Sequence, residues 1–406
     1  MTFNQPAING IFSPPPPTRE AGLARLAAFI PQAGRAYAVG RNTDPGPGAP
    51  SAVSGLSPYL RHRLVGETEV ISAVIARHGA GGAEKFIQEV FWRIYWKGWL
   101  ELRPALWSSY RQRLAALRED AALMPRAVQA MRGETGIGCF DAWARELAQT
   151  GTLHNHTRMW FDSIWCFTLK LPWLLGADFF FQHLLDADAA SNLLSWRWVA
   201  GCQTPNKPYI ARAANIAHYS NGRFAPYGVL NEAPEPVAEP NPPAMQTLPA
   251  IDDLPRGKLA LLLHEDDLGA GGLALAGMNI VALGGLALAA ARAFGPVSEQ
   301  AAGWTRAALA GSLSQASRAY GLAAPVLAPD ALAAWARDAG AEAVITPYAP
   351  VGWTADALRA AEAKLHGAGL RLYRLRRAFD ARCWPLARRG FFDFKAHIPA
   401  LLKEVP

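Results

Sequence analysis

The sequence predicts an all-α domain followed by an α/β domain built on a doubly wound parallel sheet. Three observations carry that expectation. Residues 19–230 place apolar residues at helical spacing and show no clear two-residue alternation. Residues 231–255, NEAPEPVAEPNPPAMQTLPAIDDLP, hold too many prolines for regular helix and read as an extended linker. Beyond them, short apolar runs alternate with helical stretches, the pattern of parallel strands covered by helices. Residues 1–18, ending in PPPPT, read as a tail, and the α/β domain takes 256–406.

In chain order, GRNTDPGPGAPSAVSG (40–55) carries turn chemistry, and EKFIQEVFWRIYWKGWLEL (84–102) has the apolar stripe of a helix. CFDAWARELAQTG (139–151) sets Asp141 in a first helical turn and stops at Gly151. HNHTRMWFDSIWCFTLKLPW (154–173) reads as a helix closed by Pro172. After the linker, KLALLLH (258–264), NIVALGG (279–285), AEAVITP (341–347) and LRLYRLR (370–376) read as strands. PDALAAWARDAG (329–340) and TADALRAAEAKLHGAG (354–369) read as helices between them. No GxGxxG or GxxxxGK[ST] follows a strand, so a phosphate loop is not indicated.

Composition narrows the class. Hydrophobic residues make up 51% and charged residues 18%, which excludes a disordered chain. The four cysteines form no CxxC pair and stand near no His at ligand spacing, so neither a disulfide framework nor a metal site is expected. The net charge of +7 permits a polyanionic partner without requiring one. The apolar stretch 273–291 is rich in Ala and Gly and broken by Asn279, so it reads as a buried strand and helix and not a membrane span. A cytoplasmic protein with no membrane partner is expected.

The most unusual stretch is HLLDADAASNLLSWRW (183–198), two aspartates among leucines and alanines. A carboxylate in apolar surroundings is costly unless a cation or several hydrogen bonds compensate it. Asp188, Asn192 and Trp196 stand at i, i+4 and i+8, one helical stripe, with Asp186 at the expected helix entrance. Ala189–Ser191 leave room for something large to approach the backbone. HNHTRM offers Arg158 as a partner for an aspartate.

Read in order, VSGLSPYL (53–60), EVFWRIYW (89–96), FDAWAREL (140–147), TLHNHTRM (152–159) and DADAASNLLSWRW (186–198) resemble the FAD-binding domain of the DNA photolyase and cryptochrome family. The resemblance implies FAD held in the helical domain, with Tyr37, Ser54, Leu56 and Ser57 at phosphate-holding positions. Val53 stands where the pattern has Thr, which removes one hydroxyl. Arg93 matches a flavin-contacting arginine, and Arg158 and Asp186 the ion pair beside the isoalloxazine. Asp188 matches the aspartate near the adenine and ribose, and Asn192 the residue facing flavin N5. Glu89, Trp92, Asn155, Met159 and Trp198 match positions that contact a flipped-out cyclobutane dimer, with Asn155 also bordering the cofactor.

The implied activity is light-driven repair of pyrimidine dimers in DNA by electron donation from the reduced flavin. The alternatives are a cryptochrome-like photoreceptor that binds FAD without repair and a flavin-free nucleic-acid-binding descendant. Trp196 and Trp173 match the first two members of the family's electron relay, and both are carried as catalytic together with Asn192 and Glu89. The third relay position, near Ala130–Met131, lacks a tryptophan, so either Trp160 or Trp165 replaces it or photoreduction is poor. The family sets its α/β domain before the FAD domain, so the order here is reversed. HEDDLGA (264–270) stands in place of the family's R-R-D-L-R run, which argues against an antenna chromophore.

Overall fold

The computed structural model describes residues 14–204, 207–273 and 275–405; most of the proline-rich tail lies outside them. Pro14–Thr18 are packed: Trp304 donates to the Pro15 carbonyl at 2.7 Å and the Tyr59 hydroxyl to that of Pro16 at 3.0 Å. The first half contains helices α1 (Arg19–Phe29), α2 (Arg35–Gly40), α3 (Ser57–Arg61), α4 (Glu67–Gly82), α5 (Glu84–Glu101) and α6 (Ala105–Arg118). It continues with α7 (Leu123–Met131), α8 (Gly138–Thr150), α9 (Asn155–Ser163), α10 (Trp173–His183), α11 (Ala189–Val199) and α12 (Ala213–Tyr219).

Residues 231–255 carry neither helix nor strand. They are nonetheless tied down, because Glu239 accepts from Arg113 and from the Trp173 indole.

The second half is a five-stranded sheet in the order β3-β2-β1-β4-β5, with every recorded pair parallel. Its strands are β1 (Lys258–His264), β2 (Asn279–Leu286), β3 (Val326–Leu327), β4 (Ala343–Pro347) and β5 (Arg371–Leu375). Its helices are α13 (Glu299–Tyr320), α14 (Leu332–Asp338), α15 (Trp353–Gly367), α16 (Ala378–Cys383), α17 (Phe391–Lys395) and α18 (Ile398–Leu401).

Three expectations are corrected. The helix from 154 does not run to Pro172. It passes into one π-turn at Ile164–Thr168 and breaks at Lys170, which has φ 54, so Pro172 caps the next helix instead. Asp188, not Asp186, sits at the entrance of α11 and accepts from the Ser191 amide. The stretch 273–291 yields β2 and then only a single 3-10 turn at Ala289–Ala291. All four cysteines are free and buried.

The strand order reverses between β1 and β4, where parallel sheets usually open a ligand crevice at the strands' carboxyl ends. Here the helical half fills it. Arg61, on α3, reaches Asp266 at 2.5 Å and donates to the Ala187 carbonyl at 2.6 Å. Arg63 has φ 51, a left-handed backbone unusual for arginine, and pairs with Asp267 at 3.1 Å and Asp380 at 2.7 Å. Glu101 at the end of α5 accepts from the Tyr348 hydroxyl at 2.7 Å and the Val351 amide at 2.6 Å. Burial pushes Glu101 up to about 6. One hydrophobic core runs through both halves.

Two predictions test this lock. Arg63→Met leaves Asp380 and Glu67 buried without their arginine, and chemical denaturation should show a loss of about 3–5 kcal/mol. His62 has Nδ1 2.6 Å from the Glu265 carbonyl and a buried, unpartnered Nε2 among the described residues. Burial, aided by Arg61, pushes its imidazole down to about 3. Because that lies below the unfolded value, His62 contributes stability above about pH 6.5 that is lost on acidification, about 2 kcal/mol at about pH 5. His62→Gln should shrink the difference between denaturation curves at about pH 7 and about pH 5. An undiminished difference would rule this out.

Candidate functional site

The two aspartates of the DxD stretch find separate cations. Asp186 lies in the turn before α11, and both of its oxygens stand 3.0 Å from Arg158 Nη2. Arg158 is itself held by its Nε on the Leu153 carbonyl at 3.0 Å. Burial alone would raise the Asp186 carboxyl, but Arg158, the Ser57 hydroxyl and Arg93 override it and hold it below its ordinary value. Asp188 caps α11 through the Ser191 amide at 2.7 Å and takes Arg93 Nη2 at 2.9 Å. Burial opposes its charge too, and Arg93, Lys97 and Arg61 keep it depressed. Lys97 is buried beside it, its ammonium lowered by burial and by Arg63.

One turn further, Asn192 donates its Nδ2 to the Ala177 carbonyl at 2.9 Å, so its carbonyl oxygen is the free end. Around this group, Arg93 Nε and Ser191 Oγ are buried and unpartnered among the described residues. Unsatisfied buried donors at paired carboxylates suit a polar ligand carrying acceptors, and the phosphates, ring carbonyls and ring nitrogens of a flavin dinucleotide fit that donor set.

The Ala189–Ala190 opening is used from the other side. A Cβ on Gly352 would stand 2.9 Å from the Ala189 Cβ, so the turn into α15 reaches α11 only because both residues are small. Between Asp188, Lys97, Asp266 and this turn remains a chamber of about 10 Å³, room for about one water.

The other residues singled out in the sequence fall into three groups. Tyr37 is buried between Phe29 and Phe86, and burial raises its phenol. Leu56 is fully buried, and Ser54 folds inward, its Oγ accepting from the Leu56 amide at 3.2 Å and its carbonyl from Arg25 at 2.8 Å. Ser57 opens α3, its hydroxyl on Asp186.

The dimer-contact positions separate. Trp92 and Trp198 line one cavity of about 550 Å³, while Glu89, Asn155 and Met159 are not on its walls. Glu89 is bound by Arg41, and Asn155 is exposed at the start of α9. Trp92 is already stacked by Phe391, with centroids 3.7 Å apart and planes at 12°. Trp198 lies against Tyr209 at 5.8 Å.

Among the relay positions, Trp196 is fully buried and meets Trp165 edge-on at 6.1 Å. Trp160 instead stacks on Trp143 at 5.6 Å and donates to Asn215, so Trp165 is the alternative in ring contact with Trp196. Gly176 makes room for Trp196: any Cβ there would fall 2.1 Å from the indole. Trp173 stacks toward Tyr110 at 6.2 Å and donates to Glu239 at 2.7 Å.

Sequence reasoning misses Arg41, Lys97, Glu239 and Phe391. Arg41 stands one helical turn after Tyr37, a spacing that could have flagged it; the others carry no local signal.

Comparison with known proteins points one way. Residues 86–228 match the FAD binding domain of DNA photolyase. A deoxyribodipyrimidine photo-lyase of Streptomyces griseus is 38% identical over 161 residues, covering 39% of this chain and 34% of that protein. One from Thermus thermophilus is 33% identical over 201 residues, covering 48% of this chain and 45% of that protein. The chain thus spans less than half the length of either relative. A class III photolyase structure from Agrobacterium tumefaciens aligns with a TM-score of 0.40 at 28% identity, over 50% of this chain and 43% of that one. A Synechocystis cryptochrome structure aligns with a TM-score of 0.40 at 22% identity, over 53% of this chain and 46% of that one. Through its helical half, where the paired aspartates and their arginines lie, the chain is similar to DNA photolyases, and its residues 86–228 match the FAD binding domain of those proteins.

Proposed function

We propose that the helical half binds FAD beside Asp186, Asp188 and Asn192, and that the protein repairs cyclobutane pyrimidine dimers in DNA. The observation that carries this reading is the pair of half-buried Arg158 with buried Asp186, six residues before an asparagine whose carbonyl oxygen has no partner among the described residues. Bound and reduced, the flavin supplies an excited-state electron to the dimer.

The chain's own residues would hold and orient the partners. Arg158 and Arg93 keep both carboxylates ionised, so Asp186 and Asp188 can accept from polar edges of the cofactor. The Asn192 carbonyl would accept from a ring N–H. Tyr37, Ser54, Leu56 and Ser57 would border the phosphates, with the Ser57 hydroxyl also helping to depress the Asp186 carboxyl. Trp196 and Trp173 would carry electrons inward, with Trp165 beside Trp196. Glu89, Asn155, Met159, Trp92 and Trp198 would meet the lesion. In this reading the proline-rich segment connects two domains, the second without an antenna chromophore.

A photoreceptor that binds FAD without repair is favoured by one observation. Phe391 covers a face of Trp92, and Arg41 holds Glu89, so two lesion-contact groups are already engaged.

The deciding measurement illuminates FAD-reconstituted, reduced protein with a dimer-containing oligonucleotide and counts restored thymines. Restored thymines support repair, and photoreduction without them supports the photoreceptor. Asp186→Asn should lower FAD affinity about tenfold, read by flavin absorbance after gel filtration, because Arg158 loses its counter-charge. Glu89→Gln should keep FAD and lower repair about tenfold. The opposite pattern would overturn these assignments.

A further inference from the structure

The proline-rich linker is fixed to the helical half at one residue. Among the described residues between 234 and 245, only Glu239 makes a hydrogen bond or ion pair with the rest of the chain. Its side chain is 5% exposed, although the linker around it runs over the surface. Arg113 donates to both carboxylate oxygens, at 2.6 and 2.7 Å, and Arg197 Nη1 stands 3.8 Å away. Trp173 completes the set, its indole N–H donating to Oε1 at 2.7 Å. Burial alone would raise this carboxyl, but Arg113, Trp173 and Arg197 hold it below its ordinary value. Glu239 is therefore ionised at neutral pH and compensated on three sides.

The anchor holds more than the linker. Three residues on, residues 242–245 form one wall of the 550 Å³ cavity that Trp92 and Trp198 also line. The next fixed point is the Gln246 amide, which donates to the Leu102 carbonyl at 2.8 Å. The wall is thus strung between two fixed ends, and the first is held by charge. Trp173, at that end, is buried, stacks toward Tyr110 at 6.2 Å, and has the Arg197 guanidinium 5.9 Å from its ring centre. An indole that loses an electron becomes a cation with a strongly acidic N–H. Arg197 opposes that positive charge, and the hydrogen bond to Oε1 gives the proton an acceptor.

We propose that Glu239 is the proton acceptor of Trp173 when this tryptophan gives up an electron, and that the loss of its charge frees the linker wall. The electron passes to Trp196, the Trp173 N–H bond breaks, and the proton forms a new O–H bond on Glu239 Oε1. A neutral indolyl radical and a neutral carboxylic acid result, with light-excited oxidised flavin as the final electron acceptor. Arg113 and Arg197 then face no counter-charge, so the buried seat of Glu239 no longer favours it. The inference rests on the proposed FAD site and its tryptophan relay. It needs no lesion, so it holds equally for a repair enzyme and for a photoreceptor.

The test reads linker motion in the full chain by electron paramagnetic resonance of a nitroxide on Ala244→Cys, an exposed position, the four native cysteines being buried. With FAD reconstituted and Glu239 intact, the label should be restrained in darkness, and blue light should shorten its correlation time about threefold. Glu239→Gln keeps an oxygen for the indole N–H but carries no charge, so its label should be equally mobile in darkness, with or without FAD. Trp173→Phe should keep the dark state restrained and abolish the light response. A restrained label in dark Glu239→Gln protein would overturn the anchor, and a light response that survives Trp173→Phe would overturn the proton transfer. So would an unresponsive label in otherwise unaltered protein that retains FAD, shown by flavin absorbance after gel filtration. Protein that retains no FAD overturns the cofactor reading and the light step together, whereas the dark comparison still decides the anchor.

Discussion

The rest of the structure depends on the buried ion network that Arg61 and Arg63 make with Asp266, Asp267 and Asp380. These groups are charged and almost wholly shielded from water, so each is stable only in the presence of the others. Two closely spaced arginines of the helical half thereby occupy the crevice that a reversing parallel sheet normally offers to a ligand. The α/β half has become a structural partner: it supplies the acids that keep α3 in place, and α3 in turn presents Ser57 to Asp186.

The same logic of compensation shapes the candidate pocket. Asp186 and Asp188 lie within one turn of chain, yet each has its own arginine, drawn from α9 and α5 respectively. Small residues set how closely the elements meet. Ala189 and Gly352 let the sheet domain close on α11, and Gly176 lets Trp196 lie flush with α10. The pocket is thus closed on its sheet side by Asp266 and the turn into α15, with space for about one water.

Much of this is legible in the residues themselves. The apolar runs at 258–264 and 341–347 become β1 and β4 because continuous burial selects them, and Gly151 ends α8 in the left-handed conformation expected of it. The need of a buried carboxylate for a cation is legible as well, while the choice of Arg158 for Asp186 comes from the family resemblance. Strand β3 escapes notice because two residues, Val326 and Leu327, are too few to show a period. Contacts such as Glu89 with Arg41, Trp92 with Phe391 and Trp173 with Glu239 escape for a different reason. Each is made by tertiary packing between segments that share no local pattern. The capping role falls to Asp188 and not Asp186 because of where the preceding turn places the chain, which local pattern does not reveal.

The distance along the chain between the locking partners has a consequence for biosynthesis. Arg63 is translated 204 residues before Asp267 and 317 before Asp380. A nascent helical half leaving the ribosome therefore carries arginines that cannot yet be desolvated, and its α3 edge stays hydrated until the last helices emerge. Closure over Asp188 and Ala189, made by Gly352 and the turn into α15, likewise waits for a segment translated well after the one that bears the aspartates.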